Sequence, residues 1–218
     1  MNTNIKNQFI KPQMGRRVFL VMFGQVIMGF AVAILRIPVL GTDPFSAMML
    51  GLTNHTPFSY GVFCSIANVA LFVFEILWGR KYIGIGTFAN WFILGFFVDF
   101  ACFVFRTLGI DGCPSSLLVR VIIAVVGIII LAFSLSMYQM ADIGSSPADS
   151  MPLIIKERLH LPFFVSRVIV DGAFTLVAFL AGGVIGMATL MVFLFLGPIA
   201  NIFNRHVFAK IVTNESLL

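Results

Sequence analysis

The chain has 218 residues, of which 60% are apolar and 11% charged, against roughly 25% charged in soluble domains; it cannot cover itself with a water-compatible surface, so its solvent is lipid. The net charge of +5 does not point to nucleic acid, because the basic residues sit at the ends of apolar runs, where they orient a membrane chain. Cys64, Cys102 and Cys113 are odd in number and scattered, which argues against a disulfide framework; Cys64 and Cys102 read as small buried apolar groups and Cys113 as a loop thiol.

Residues 1–16 form a tail expected on the cytoplasmic side, with Lys6, Lys11 and Arg16 followed directly by Arg17. The apolar stretch that follows, Val18 to Leu40, exceeds the 7–15 residues of a secretory leader and reads as a first membrane helix. With about 20 apolar residues needed per span, six segments qualify: 17–40, 58–78, 82–105, 117–140, 162–181 and 184–204. Residues 205–218 form a second tail. Lysine and arginine concentrate in the tails, at Arg80-Lys81, and at Lys156, Arg158 and Arg167. These are alternate connections, which the positive-inside rule assigns to the cytoplasm together with both termini.

The two halves align on each other. Arg17 matches Arg120, Gly24 matches Gly127, Gly41-Thr42-Asp43-Pro44 matches Gly144-Ser145-Ser146-Pro147, and Met48 matches Met151, all 103 positions apart. Gly84, Thr87, Gly95 and Asp99 match Gly186, Thr189, Gly197 and Asn201 at a spacing of 102. The expected fold is therefore all-α, six transmembrane helices in two three-helix repeats, 17–116 and 117–204. An odd number of spans per copy inverts the second copy relative to the first, a design common in secondary transporters.

The motif after the first helix of each copy carries the chemistry. Glycine ends a helix, Asp43 or Ser146 can cap the next, and proline suits its first position. Asp43 and Ser46 in one copy trade places with Ser146 and Asp149 in the other. One reading is a capping turn at the membrane surface. The sharper one is a short re-entrant helix whose N-terminus faces a central cavity. Polar residues inside apolar runs are costly and face a bundle interior or a water-filled cavity. Asn68 and its match Asp171 are the deepest, followed by Asp99, Asn201 and Arg36. Gln25, Asn90 and Gln139 add polar atoms. Asp171 suits a proton or a cation, or else an ion pair with Arg167 one turn earlier; Asp99 is within reach of a pairing with Arg36. Glu75, five residues from Arg80, is expected to snorkel to water, and Pro147 to Leu161, with Lys156, Glu157, Arg158 and His160, to form a short helix emerging into the cytoplasm. The glycine matches are read as helix-packing positions.

His55, His160 and His206 are far apart, and neither a phosphate loop nor a Gly-x-Ser-x-Gly elbow occurs. No metal, cofactor or enzymatic activity is expected. The motif Gly-Ser-Ser-Pro-Ala-Asp, its earlier copy Gly-Thr-Asp-Pro-Phe-Ser, and the pattern Gly86, Thr87, Gly95, Asp99 resemble the YczE/YyaS/YitT-type bacterial integral membrane proteins over residues 17–204. The chain departs from that family's aromatic-Asp pair after the proline, with Phe45-Ser46 and Ala148-Asp149 instead. The resemblance implies a multi-pass protein of the bacterial inner membrane and supplies no substrate. The expected function is a small secondary transporter or exporter with substrate-binding residues Asp43, Ser46, Asn68, Asp99, Ser146, Asp149, Asp171, Asn201 and Arg36. The alternative is a non-transporting accessory or scaffold for a partner enzyme or carrier. Expected partners are membrane lipid and a small solute or ion, with a homo-oligomer admitted and no nucleic acid.

Overall fold

The computed structural model describes residues 13–208; Lys6, Lys11 and the tail beyond 208, expected on the cytoplasmic side, lie outside them. Among the described residues there are eight α-helices and no strand: α1 Met14–Arg36, α2 Pro44–Thr53, α3 Tyr60–Trp78, α4 Ile85–Thr107, α5 Leu117–Met140, α6 Pro147–Leu159, α7 Phe163–Leu180 and α8 Met187–Phe203. Helices α1, α3, α4, α5 and α7 are long and apolar enough to cross a membrane. The sixth expected segment, α8, has 17 residues and runs on into a π-helical turn, Asn204–Phe208. Exposed apolar side chains such as Phe179 (72%) and Leu180 (76%) would be a liability in water and are the natural contact with lipid.

Two of the boundaries that differ from expectation have clear local causes. Helix α1 stops at Arg36 and not at 40, because Pro38 has no N–H to continue the ladder. Helix α4 starts at Ile85 and not at 82: Arg80–Tyr82 form a 3₁₀ turn, and Gly84 is extended with its N–H donating to Thr87 Oγ1 at 3.1 Å.

Helices α1 and α5 lie side by side and antiparallel. At one end Arg17 Nη1 donates to the Ala141 carbonyl (2.8 Å), and at the other Arg120 Nε donates to the Pro38 carbonyl (2.7 Å). Pro38 and Ala141 are 103 positions apart, as are Arg17 and Arg120. Glycines let the two helices approach closely: a Cβ on Gly24 would lie 3.1 Å from Tyr138 Cβ, and one on Gly127 would lie 2.8 Å from Leu35 Cδ2.

A second pair of matched bonds closes the turns that follow. The Ala188 N–H donates to the Leu40 carbonyl (2.9 Å), and the Gly86 N–H donates to the Ile143 carbonyl (2.8 Å). Both turns need glycine. Gly41 (φ +95°) and Gly144 (φ +117°) adopt backbone angles that L side chains rarely reach, and a Cβ there would lie 2.2 Å from Thr189 Oγ1 or 2.7 Å from Gly84 N.

The short helices cross between the halves. Helix α2 packs on α7, where the Phe45 and Phe174 rings meet at 5.6 Å, and α6 packs on α3. The far end of α6 is tied to the 80–82 turn, with Glu157 accepting from Lys81 and from the Tyr82 hydroxyl. Partial burial alone would raise the Glu157 pKa, but these two donors outweigh it and hold the carboxyl below its usual range.

Gly144→Ala is expected to lower stability by about 1–3 kcal/mol through backbone strain alone, with the clash adding to it. Gly172→Ala, where a Cβ meets nothing within 4 Å, is expected to stay within about 0.5 kcal/mol of wild type. Thermal unfolding of the two variants in detergent checks the contrast.

Candidate functional site

The two matched turns bring two helix N-termini to one place. Asp43 caps α2, its Oδ2 accepting from the Ser46 N–H at 2.8 Å. Ser146 caps α6, its hydroxyl accepting from the Asp149 N–H at 3.1 Å and donating to Asp149 Oδ2 at 2.7 Å. Between them lies a cavity of about 60 Å³, whose wall includes Asp43, Ser46, Asn68, Ser146, Asp149 and Arg167, with Leu94, Leu131 and Leu135 among its apolar groups. That volume holds a few water molecules or a small polar group.

The polar groups of the wall form two clusters. In the first half the Ser46 and Tyr60 hydroxyls hydrogen-bond at 3.0 Å, and the Arg36 guanidinium lies over the Tyr60 ring, 4.9 Å from its centre. In the second half the Tyr138 hydroxyl donates to Asp149 Oδ2. Arg167 joins that cluster to Asp171, with Nη1 at 3.3 Å from Asp149 Oδ1 and Nε at 2.8 Å from Asp171 Oδ2. A guanidinium suits this bridging because its planar fork donates in two directions at once. Asn68 stands apart. It is 5% exposed and lines the cavity, yet its side-chain amide makes no hydrogen bond with any described residue. An unpartnered buried amide is expensive, unless water or a ligand in the cavity satisfies it.

Two larger pockets flank the cavity at opposite ends of the antiparallel α1–α5 pair. One, of about 500 Å³, is lined by Arg36, Tyr60, Asp99 and Cys102. The other, of about 550 Å³, is lined by Gln139, Phe163, Asn201 and Asn204. Each of the second set is the repeat match of the corresponding residue in the first. The Asn201 pocket shares Leu135, Arg167 and Leu196 with the central cavity. The Arg36 pocket shares no lining residue with it.

A family model described as a family of unknown function, DUF6198, matches residues 15–205. The chain belongs to that family. An uncharacterized protein of Haemophilus influenzae is 24% identical over 190 residues, covering 86% of this chain and 83% of the relative. The Bacillus subtilis protein YyaS is 28% identical over 176 residues, 78% and 86% of the two chains. YczE of the same organism, an uncharacterized membrane protein, is 25% identical over 177 residues, 81% and 80% of the two chains. The YczE/YyaS resemblance of the motifs thus extends along most of the chain, and this DUF6198 member is a multi-pass membrane protein. No solved structure matches it.

Of the residues expected from the sequence, Asp43, Ser46, Asn68, Ser146 and Asp149 line the cavity together. Asp171 does not. It lies in the adjoining pocket, held by Arg167, so the ion pair and not a free carboxylate is what forms there. Asn68 and its match Asp171 line different pockets. Asn201 lines the same adjoining pocket. Arg36 and Asp99 line the opposite pocket without pairing: Arg36 Nη1 donates to Cys102 Sγ at 3.0 Å, and Asp99 Oδ2 accepts from the Gly61 N–H at 2.8 Å. The three thiols are free. No group of three or more metal-ligating side chains occurs among the described residues.

Sequence reasoning missed Tyr60, Tyr138 and the central role of Arg167. A usable signal was present. The chain has 25 Phe and 3 Tyr, and each tyrosine hydroxyl finds a polar partner: Ser46, Glu157 or Asp149. Where phenylalanine is the default, a tyrosine marks a polar neighbour.

Arg167→Ala is expected to destabilise the protein by about 3 kcal/mol, because two partly buried carboxylates lose their cation. Adding Asp149→Asn and Asp171→Asn should recover much of the loss. Thermal unfolding of the single and triple variants measures both effects.

Proposed function

We propose that this DUF6198 member is a small secondary transporter or exporter of the bacterial cytoplasmic membrane, built as two inverted three-helix repeats and working by alternating access. In this arrangement α8 with its π-helical extension is the sixth span. Helices α2 and α6 are re-entrant, since Asn68, level with their N-termini at the cavity, is the ninth of the nineteen residues of α3. The antiparallel α1–α5 pair and the matched bonds at its ends support a two-fold relation between the halves.

One observation carries the proposal: the matched pockets differ in state. At the Arg36 end α3 and α4 are zipped together. A Cβ on Gly95 would lie 2.7 Å from Gly61 Cα, and Asp99 bonds across the same contact. At the Asn201 end the counterpart of Gly95 is Gly197, around which nothing lies within 4 Å. Helices α7 and α8 are parted there, and the pocket between them adjoins the cavity. Two like halves in unlike states are what alternating access requires.

The open end carries Lys81, Glu157 and the Arg17–Ala141 contact, the end assigned to the cytoplasm by its positive charge. The protein is therefore read as inward-open, sealed outside by the Gly61–Gly95 contact and the Ser46–Tyr60 bond. The cavity offers two carboxylates, one guanidinium, two helix N-termini and the Asn68 amide to a small polar solute.

In a background without the native cysteines, Ser46→Cys is expected to react with a membrane-impermeant maleimide in inverted vesicles and not in intact cells. Labelling from the outside alone overturns the inward-open assignment. For the site, a thermal-shift screen of purified protein against metabolites should find a stabilising solute. Flux of that solute into liposomes should then fall at least tenfold (about 1.4 kcal/mol) in Asp43→Asn and in Asp149→Asn. Stabilisation with no flux supports the accessory reading instead.

A further inference from the structure

Glu75 lies one turn before the end of α3, where snorkelling to water was the expectation. It does not snorkel. Glu75 is 0% exposed, and neither carboxyl oxygen has a hydrogen-bond partner. It is enclosed at the contact between α3 and α6, which is tight enough that a Cβ on nearby Gly79 would lie 2.3 Å from Ile154 Cδ1.

The groups that face it give no compensation. On α6, the Ser150 hydroxyl faces Glu75 but donates to the Pro147 carbonyl at 2.9 Å. The charge felt from α6 is Asp149, of the same sign. On the turn after α3, Arg80 Nε donates to the Ile76 carbonyl and Lys81 pairs with Glu157. The acidic groups of α2 and α4 lie elsewhere: Asp43 is engaged with Ser46, and Asp99 with Gly61 at the far end of α3. Among the described residues no lysine or arginine is paired with Glu75. An ionised carboxylate buried without a partner is costly. A neutral carboxylic acid avoids most of that.

The other half shows that the carboxyl is not needed for packing. The match of Glu75 is Ala178 and the match of Ser150 is Ala47; both alanines are fully buried, at the contact between α2 and α7. The fold makes this contact once with two alanines and once with a glutamate against a serine. The helix that buries Glu75 is also the one whose first turn carries Asp149 into the cavity wall.

We propose that Glu75 is a proton-binding site, holding its proton while α3 and α6 are packed and releasing it to water when they part. Resting on the transporter reading above, this couples the rocking of the halves to a proton, and moves the proton from Asp171, which Arg167 occupies, to Glu75. Nothing is consumed: the Oε–H bond breaks on opening, the proton passes to solvent, and the reverse occurs on closing.

The test reads the proton directly. Infrared spectra of purified protein at neutral pH should contain the C=O stretch of a protonated carboxylic acid, shifted in heavy water. The band should be lost in Glu75→Gln and in Glu75→Ala and kept in Asp171→Asn. Ala178 makes the alanine variant structurally safe, and size-exclusion chromatography checks it. An unchanged spectrum in both Glu75 variants overturns the proposal. Coupling is read from Ser150→Cys in a background without the native cysteines. Its maleimide labelling should rise more steeply with pH when Glu75 is present than when it is Gln; equal slopes overturn the coupling. A band without liposome flux rejects the transporter and leaves the proton site, whereas flux without the band does the reverse.

Discussion

The structure depends on satisfying the backbone carbonyls released where α1 and α5 end against other helices, because a carbonyl packed against protein without a donor is costly. The chain breaks twice, after α1 and after α5, and four carbonyls are released at matched positions. Pro38 is met by Arg120, Leu40 by the Ala188 N–H, Ala141 by Arg17 and Ile143 by the Gly86 N–H. Every donor comes from the opposite half. Neither half can keep its break without the other, and the breaks are what turn the N-termini of α2 and α6 toward a shared cavity.

The two halves share a scaffold and differ in their polar groups. The glycine turns, the arginine contacts and the close α1–α5 approach are made in duplicate. The chemistry sits in the departures. Asp and Ser exchange places around the prolines, Arg167 stands where the first half has Cys64, and Tyr60 and Tyr138 each answer an apolar residue. Glu75 stands where the second half has Ala178. A duplicated frame tolerates such changes because each sits on a contact that its twin shows to be packable without a charge.

Much of this was legible in the sequence. Apolar run lengths marked the five long apolar helices and the shorter α8, because lipid selects on length and hydropathy before any packing occurs. The constant spacing marked residues that make matched contacts, such as Arg17 with Ala141 and Arg120 with Pro38, and the capping roles of Asp43 and Ser146 followed from their place before proline. Five of the nine expected site residues meet at one cavity because those residues occupy the same short motifs or, like Asn68, the middle of an apolar run. Asp171, Asp99, Asn201 and Arg36 do not join them, because which face of a helix a polar residue occupies and what meets it there depend on the neighbouring helix.

By itself the sequence determined the solvent, the apolar helices, the matched motifs and the two capped turns, all of which rest on local composition and spacing. Only the tertiary structure decided the pairings. It put Arg167 between Asp149 and Asp171, left the Asn68 amide facing a cavity, buried Glu75 under α6 and parted α7 from α8 while α3 and α4 stayed closed. A membrane helix presents polar groups at little cost in any direction that meets a partner, and the partner lies as much as 124 positions away along the chain, as Arg17 does from Ala141.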